Sequence, residues 1–274
     1  MKIARYTAAL VLALAMTIPM AGAIRLVKPT PPKPAEEAET AETVEPAAAV
    51  SVEMPKEPEP AAAQEADWNL LLVNPWNTLP EDFSVELVTL ASCGLKVDKR
   101  IRADLNEMFS ACQAAGLRPL ICSAYRTQAV QTRLYNNKIS RLRAAGYSRE
   151  SAVEEAGRWV AVPGTSEHQT GLALDIVSSS YQALTKKQET TAEQKWLMEH
   201  CWEYGFILRY PSDKSEITGI NYEPWHYRYV GKEAALAMRD SGQCLEEYLE
   251  SLEKDAAQTG TSPASHNMTE NRFA

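Results

Sequence analysis

Ser166-Glu167-His168-Gln169-Thr170-Gly171-Leu172-Ala173-Leu174-Asp175 is the stretch on which the reading of this chain turns. A polar segment bounded by Pro163-Gly164 and by Gly171 passes directly into Leu172–Val177, an apolar run interrupted only by Asp175. The pattern predicts a loop feeding a short central strand. His168 falls on the loop and Asp175 near the end of the strand, and Gly171 lets the loop fold back towards it.

A second segment further along carries the complementary residue types: Glu223-Pro224-Trp225-His226-Tyr227-Arg228-Tyr229. On a regular strand Glu223 and His226 would face opposite sides. Pro224 works against a continuous strand and biases Glu223 to an extended conformation, so a bend here could aim both side chains at one point. Two imidazoles and a carboxylate form a common zinc set that leaves a fourth position for water. A neighbouring glutamate that does not bind the metal is what hydrolysis then needs as a base. Taken alone, a His near an Asp is usually a structural hydrogen bond, and the Glu-x-Trp-His segment reads as ordinary strand sequence.

Around these two segments the chain reads as mixed helices and short strands. Helices are expected over 101–115 before Gly116, over 127–145 before Gly146, from a Ser148 cap through Val160, and over 232–241. Thr191 and Gln194 form a capping-box pattern ahead of a helix reaching Tyr204, with Gly205 ending it. Strands are expected over 119–122, 172–177, 206–209 and 225–230. There is no regular strand–helix–strand alternation, which argues for an α+β fold with a small, mainly antiparallel central sheet flanked by helices.

The ends of the chain differ from this middle. Lys2 and Arg5 precede an apolar run from Tyr6 to Met20, and Ala21-Gly22-Ala23 offers a small-x-small cleavage pattern, so residues 1–23 read as a signal peptide or membrane anchor. Residues 24–66 hold eight of the sixteen prolines and nine glutamates but no aromatic residue, the composition of an extended linker rather than a core. The folded domain is expected over 67–253 and a disordered tail over 254–274. A net charge of -8 with no Lys/Arg run excludes the electrostatic footprint of a nucleic-acid binder. Export would permit disulfides among Cys93, Cys112, Cys122, Cys201 and Cys244, although small buried hydrophobes are at least as good a reading, and no pairing follows from the spacing.

Ser-x-His-x-x-Gly-x-Ala-x-Asp over 166–175, followed by Glu-x-Trp-His over 223–226, resembles the VanY-type D-alanyl-D-alanine carboxypeptidases. Their superfamily also holds the lysostaphin-type peptidases and the hedgehog signalling domain. Ser123-Ala124-Tyr125-Arg126-Thr127 with Gln131, Gly205–Pro211 and Leu245–Leu249 are similar to further segments of that family, so the likeness extends over about 68–249. The resemblance implies a bound Zn2+ held by His168, Asp175 and His226, with Glu223 as general base. It implies Arg126 as the oxyanion stabiliser and Ser166, Gln131 and Tyr125 as substrate-binding residues. The implied reaction is hydrolytic release of the carboxy-terminal D-alanine from a peptidoglycan stem peptide or precursor.

The implied protein is extracytoplasmic, secreted or tethered through its amino-terminal segment, and is expected as a monomer. Competing expectations on the same site are an L,D-carboxypeptidase, a D,D-dipeptidase and a non-catalytic zinc-containing wall-binding module. Glu223 and Arg126 argue against the last, because a structural zinc site requires neither. Of the remaining candidates, His200 is expected to be structural and His266 solvated, while Arg209 and Arg228 should pair with local carboxylates.

Overall fold

The computed structural model describes residues 67–259. The expected export signal, the 24–66 linker and His266 lie outside those residues. Six strands, β1 (Leu87–Thr89), β2 (Lys96–Asp98), β3 (Pro119–Ser123), β4 (Ala173–Ser178), β5 (Phe206–Leu208) and β6 (His226–Tyr229), alternate irregularly with helices among them. The α-helices are α1 (Arg102–Ala114), α2 (Gln128–Ala144), α3 (Arg149–Gly157), α4 (Ala192–His200), α5 (Ser215–Thr218), α6 (Lys232–Ser241) and α7 (Leu245–Thr259). None of these helices is long and apolar enough to cross a membrane.

Four strands form one antiparallel sheet in the order β3-β4-β6-β5, and β1 and β2 form a separate antiparallel hairpin. Every residue of β4 is buried, as the near-continuous apolar run requires of a strand covered on both faces. Leu174 and Ile176 face a core shared with Leu105 and Met108 of α1, Leu197 of α4 and Tyr227 of β6. Alternation along the strand therefore sends Asp175 to the opposite face. A second core packs α6 and α7 onto Leu70, Leu72, Ile207 and Val230.

Local chemistry accounts for most boundaries. Thr127 and Ser148 accept hydrogen bonds from the amides of Val130 and Ser151 and so start α2 and α3. Gly116, Gly146 and Gly205 take positive φ just past their helices. Several boundaries differ from expectation. The helix begun at Ser148 stops at Gly157, because the chain must turn there to bring Ala161 against α2. The helix from Thr191 gives way to a 3-10 turn over Cys201–Tyr204 before Gly205. Only half of the capping box forms: Thr191 Oγ1 accepts from the Gln194 amide, but the Gln194 side chain instead bridges the Ile176 carbonyl and the Tyr227 hydroxyl. The last helix runs to Thr259, six residues into the expected tail, its first turns anchored by buried Leu245 and Leu249. All five cysteines are free thiols.

Candidate metal centre and catalytic cleft

The register of the sheet builds the centre of the site. Asp175 on β4 lies directly opposite His226 on β6. Residues opposed across an antiparallel pair project from the same face with Cβ atoms about 5 Å apart. His168 reaches the same point from a 3-10 turn over Glu167–Thr170, which ends at Gly171 in the left-handed region at φ 76°. A Cβ at Gly171 would lie 2.8 Å from the Asp98 amide nitrogen, so only glycine permits the close return of this loop onto β2. The donor atoms of His168, Asp175 and His226 all lie within 4.8 Å of one another, and all three residues are buried. His168 Nε2 is 3.3 Å and His226 Nδ1 3.2 Å from Asp175 Oδ1.

Both imidazoles are oriented from behind, as metal-binding histidines are. His168 Nδ1 lies 2.8 Å from the Ala124 carbonyl, which takes its proton and leaves the Nε2 lone pair facing Asp175. His226 turns Nδ1 to Asp175, while Nε2 faces Glu167 Oε2 at 3.4 Å. Glu167 is itself fully buried, and its Oε1 accepts from Arg209 Nε and Arg228 Nη1, each at 2.7 Å. Arg209 also forks onto both oxygens of Glu246 at 2.9 and 2.7 Å. Burial alone would raise the Glu167 carboxyl, but Arg209 and Arg228 hold it well below its ordinary value.

The electrostatics of the site favour a cation between these donors. Burial, reinforced by Arg126, pushes His168 down to about 4, so it stays neutral. Burial also opposes charge on His226, yet hydrogen bonds to Asp175 and Glu167 push it up to about 9. One carboxylate and two imidazoles, all buried, match the donor set and count of a three-ligand zinc site. The residues present fit Zn2+ held by His168 Nε2, Asp175 Oδ1 and His226 Nδ1.

Glu223 and Arg126 stand at the mouth of this centre. Pro224 and Trp225 form the expected bend: the His226 amide donates to the Glu223 carbonyl at 3.1 Å, and Glu223 Oε2 lies 3.9 Å from His226 Nδ1. Only 8 % of Glu223 is exposed, and burial is the main reason its carboxyl rises to about 8. Arg126 leaves the end of β3 with Nε on Ser123 Oγ at 2.8 Å, Nη2 on Asp175 Oδ2 at 2.5 Å and Nη1 towards Gln131 Oε1 at 3.5 Å. Gln131 is buried and donates to the Ala161 carbonyl at 2.7 Å. Glu223, Arg126, Gln131 and Ser166 line a cavity of about 360 Å³ that also contains the three donors.

Tyr125 is the exception among the predicted site residues. It does not line the cavity, and its amide donates to the Lys96 carbonyl, pairing this part of the chain with β2. Adjacent residues of an extended segment point to opposite sides, so placing Arg126 in the cleft turns Tyr125 away from it. His200 also stays outside the cavity, against Glu203 and Trp196, as a structural residue does. Arg209 and Arg228 pair with carboxylates as expected, but the partners are not local: Glu167 is 42 residues from Arg209 and 61 from Arg228. Glu167 is the residue the sequence reading passed over. Its signal was two arginines, Arg209 just past the apolar β5 and Arg228 between two tyrosines of β6, each needing a buried anion.

A family model described as VanY, D-alanyl-D-alanine carboxypeptidase, matches residues 94–232. A D-alanyl-D-alanine carboxypeptidase of Enterococcus faecalis is 44 % identical over 201 residues, covering 72 % of this chain and 73 % of that one. Among solved structures, VanYB in complex with D-alanine-D-alanine aligns at a TM-score of 0.62 and 46 % identity, covering 67 % of this chain and 98 % of that one. A vancomycin-resistance D,D-pentapeptidase VanY in complex with Zn(II) aligns at a TM-score of 0.61 and 45 % identity, covering 67 % and 99 %.

Proposed function

Because this chain belongs to the VanY family of D-alanyl-D-alanine carboxypeptidases, we propose that its cleft hydrolyses the bond before the carboxy-terminal D-alanine of peptidoglycan stem peptides or their precursors. The enzyme is a zinc metallocarboxypeptidase. The observation that carries this reading is the convergence of three buried metal donors, two imidazoles and one carboxylate, beside a second buried carboxyl, Glu223.

His168, Asp175 and His226 would hold the zinc, which when bound would supply a Lewis acid able to acidify a water molecule and polarise a carbonyl. Glu223 accepts a proton from the attacking water and delivers it to the departing amine. Burial raises the proton affinity of Glu223 above that of an ordinary carboxyl, which makes it the stronger base for the first transfer. Arg126, fixed by Ser123 and Gln131, places its guanidinium where negative charge develops on the carbonyl oxygen. Ser166 and Gln131, which line the same cavity, receive the terminal carboxylate. Action takes place outside the cytoplasm by a monomer, secreted or tethered. The basic start, apolar run and proline-rich linker of residues 1–66 support that placement.

Glu223→Ala separates this reading from a zinc-containing binding module. The hydrolase loses nearly all turnover while retaining one zinc per chain by metal analysis. Undiminished turnover would remove Glu223 from the mechanism.

A further inference from the structure

One wall of the cavity is a single face of α2. Gln131, Leu134, Lys138 and Arg141 are spaced three, four and three residues apart, and all four line the cavity. At 1.5 Å per residue, Lys138 stands about 10 Å and Arg141 about 15 Å along the helix from Gln131. Among the described residues neither side chain forms an ion pair. The Lys138 ammonium instead lies 5.0 Å from the centre of the Trp159 ring, whose indole N–H is held by Glu155 at 2.7 Å. Trp159 also lines the cavity and is 40 % exposed.

Two cations without counter-ions, aligned on the wall of a reaction cleft, are matched by an anion that arrives with the substrate. The terminal carboxylate is not that anion, because it belongs at the Arg126–Gln131 end. A stem peptide offers two others on the acyl side of the scissile bond. One is the α-carboxylate left free by a γ-linked D-glutamate at the second position, and the other is the distal carboxylate of a diaminopimelate at the third. An extended chain advances about 3.5 Å per residue, so two to four residue lengths place these groups about 7–14 Å upstream. That interval spans the Lys138–Arg141 stretch of α2.

We infer that Lys138 and Arg141 form a subsite for a substrate carboxylate upstream of the cut, making the enzyme selective for acidic over amidated stem peptides. This rests on the carboxypeptidase reading above.

The test is D-alanine release by the zinc-loaded full-length chain and by its Lys138→Gln/Arg141→Gln variant from three pentapeptides. The first carries γ-D-glutamate and lysine, the second γ-D-glutamine and lysine, and the third γ-D-glutamine and diaminopimelate. The variant is expected to lose roughly tenfold or more in kcat/KM, mainly through KM, on the peptide that bears the recognised carboxylate. It should match wild type on the second peptide, which carries neither carboxylate. Loss on the first alone assigns the glutamate carboxylate, and loss on the third alone the diaminopimelate one. Lys138→Arg/Arg141→Lys, which keeps both charges, should restore most of the loss. Equal loss on all three peptides, or none on any, overturns the subsite. If wild-type enzyme releases D-alanine from none of the three, the carboxypeptidase reading fails first and the subsite falls with it.

Discussion

Glu167→Gln tests the buried network that supports the metal centre. Four side chains with no exposure, Arg209, Arg228, Glu167 and Glu246, balance two positive charges against two negative ones. The substitution keeps the shape but removes one negative charge, leaving two buried guanidiniums to share Glu246, which reaches only Arg209. Removing one partner from a buried ion pair costs about 3–5 kcal/mol. In a domain of this size each kcal/mol moves the melting temperature by about 2–4 °C, so a fall of about 6–20 °C is expected. The same change deprives His226 Nε2 of its carboxylate, and loss of such a partner lowers metal affinity about 10–100-fold.

Glu246→Gln supplies the control for that variant. It removes the same charge from the same network but does not touch His226. Differential scanning calorimetry and competition with a zinc chelator therefore give two independent readouts. Both variants should melt early, but only Glu167→Gln should release zinc readily. Wild-type melting and wild-type zinc affinity in Glu167→Gln would refute the reasoning.

Gly171→Ala forces a side chain into the left-handed region and against the Asp98 amide, at a cost of at least about 2 kcal/mol. Thermal unfolding should fall by several degrees and zinc affinity with it; an unchanged melt would show that the loop is not pinned on β2. Arg126→Lys keeps the charge but loses the planar fork, so kcat should drop about a hundredfold or more with little change in melting, and unchanged kinetics would remove Arg126 from oxyanion stabilisation. Glu246 gives a pH signature. Burial would raise its carboxyl, but Arg209 outweighs burial and lowers it below 4.5. The stability it contributes is therefore complete above its unfolded value and fades as pH falls through the lower folded one. Measured in chelator, the melting-temperature gap between wild type and Glu246→Gln should be widest near neutrality and should narrow progressively below about pH 4.5; a gap that widens on acidification would reverse the sign.

The parts of this fold that were legible in the sequence are those where one signal dominates. The apolar run at 172–177 read as a central strand, and Gly116, Gly146 and Gly205 marked helix ends because few other residues adopt positive φ there. The three residues that could hold a metal were legible as residue types, and Pro224 flagged the bend that brings Glu223 beside His226. The β1–β2 hairpin was not legible, since three-residue strands are too short to display a period of two. The extent of α3 and the second half of the capping box were decided by tertiary contacts: Ala161 against Gln131, and Gln194 against Tyr227. Glu167 was hidden for the same reason. Nothing near it in sequence reveals that Arg209, Arg228 and His226 converge on its two oxygens.

The most direct test of the central claim is release of D-alanine from a stem pentapeptide and a stem tetrapeptide, each with zinc-loaded enzyme and with enzyme treated with a chelator. Release from the pentapeptide that stops with chelator and returns with zinc is the predicted result. Release from the tetrapeptide alone, or release from the pentapeptide that survives complete removal of zinc, would contradict it.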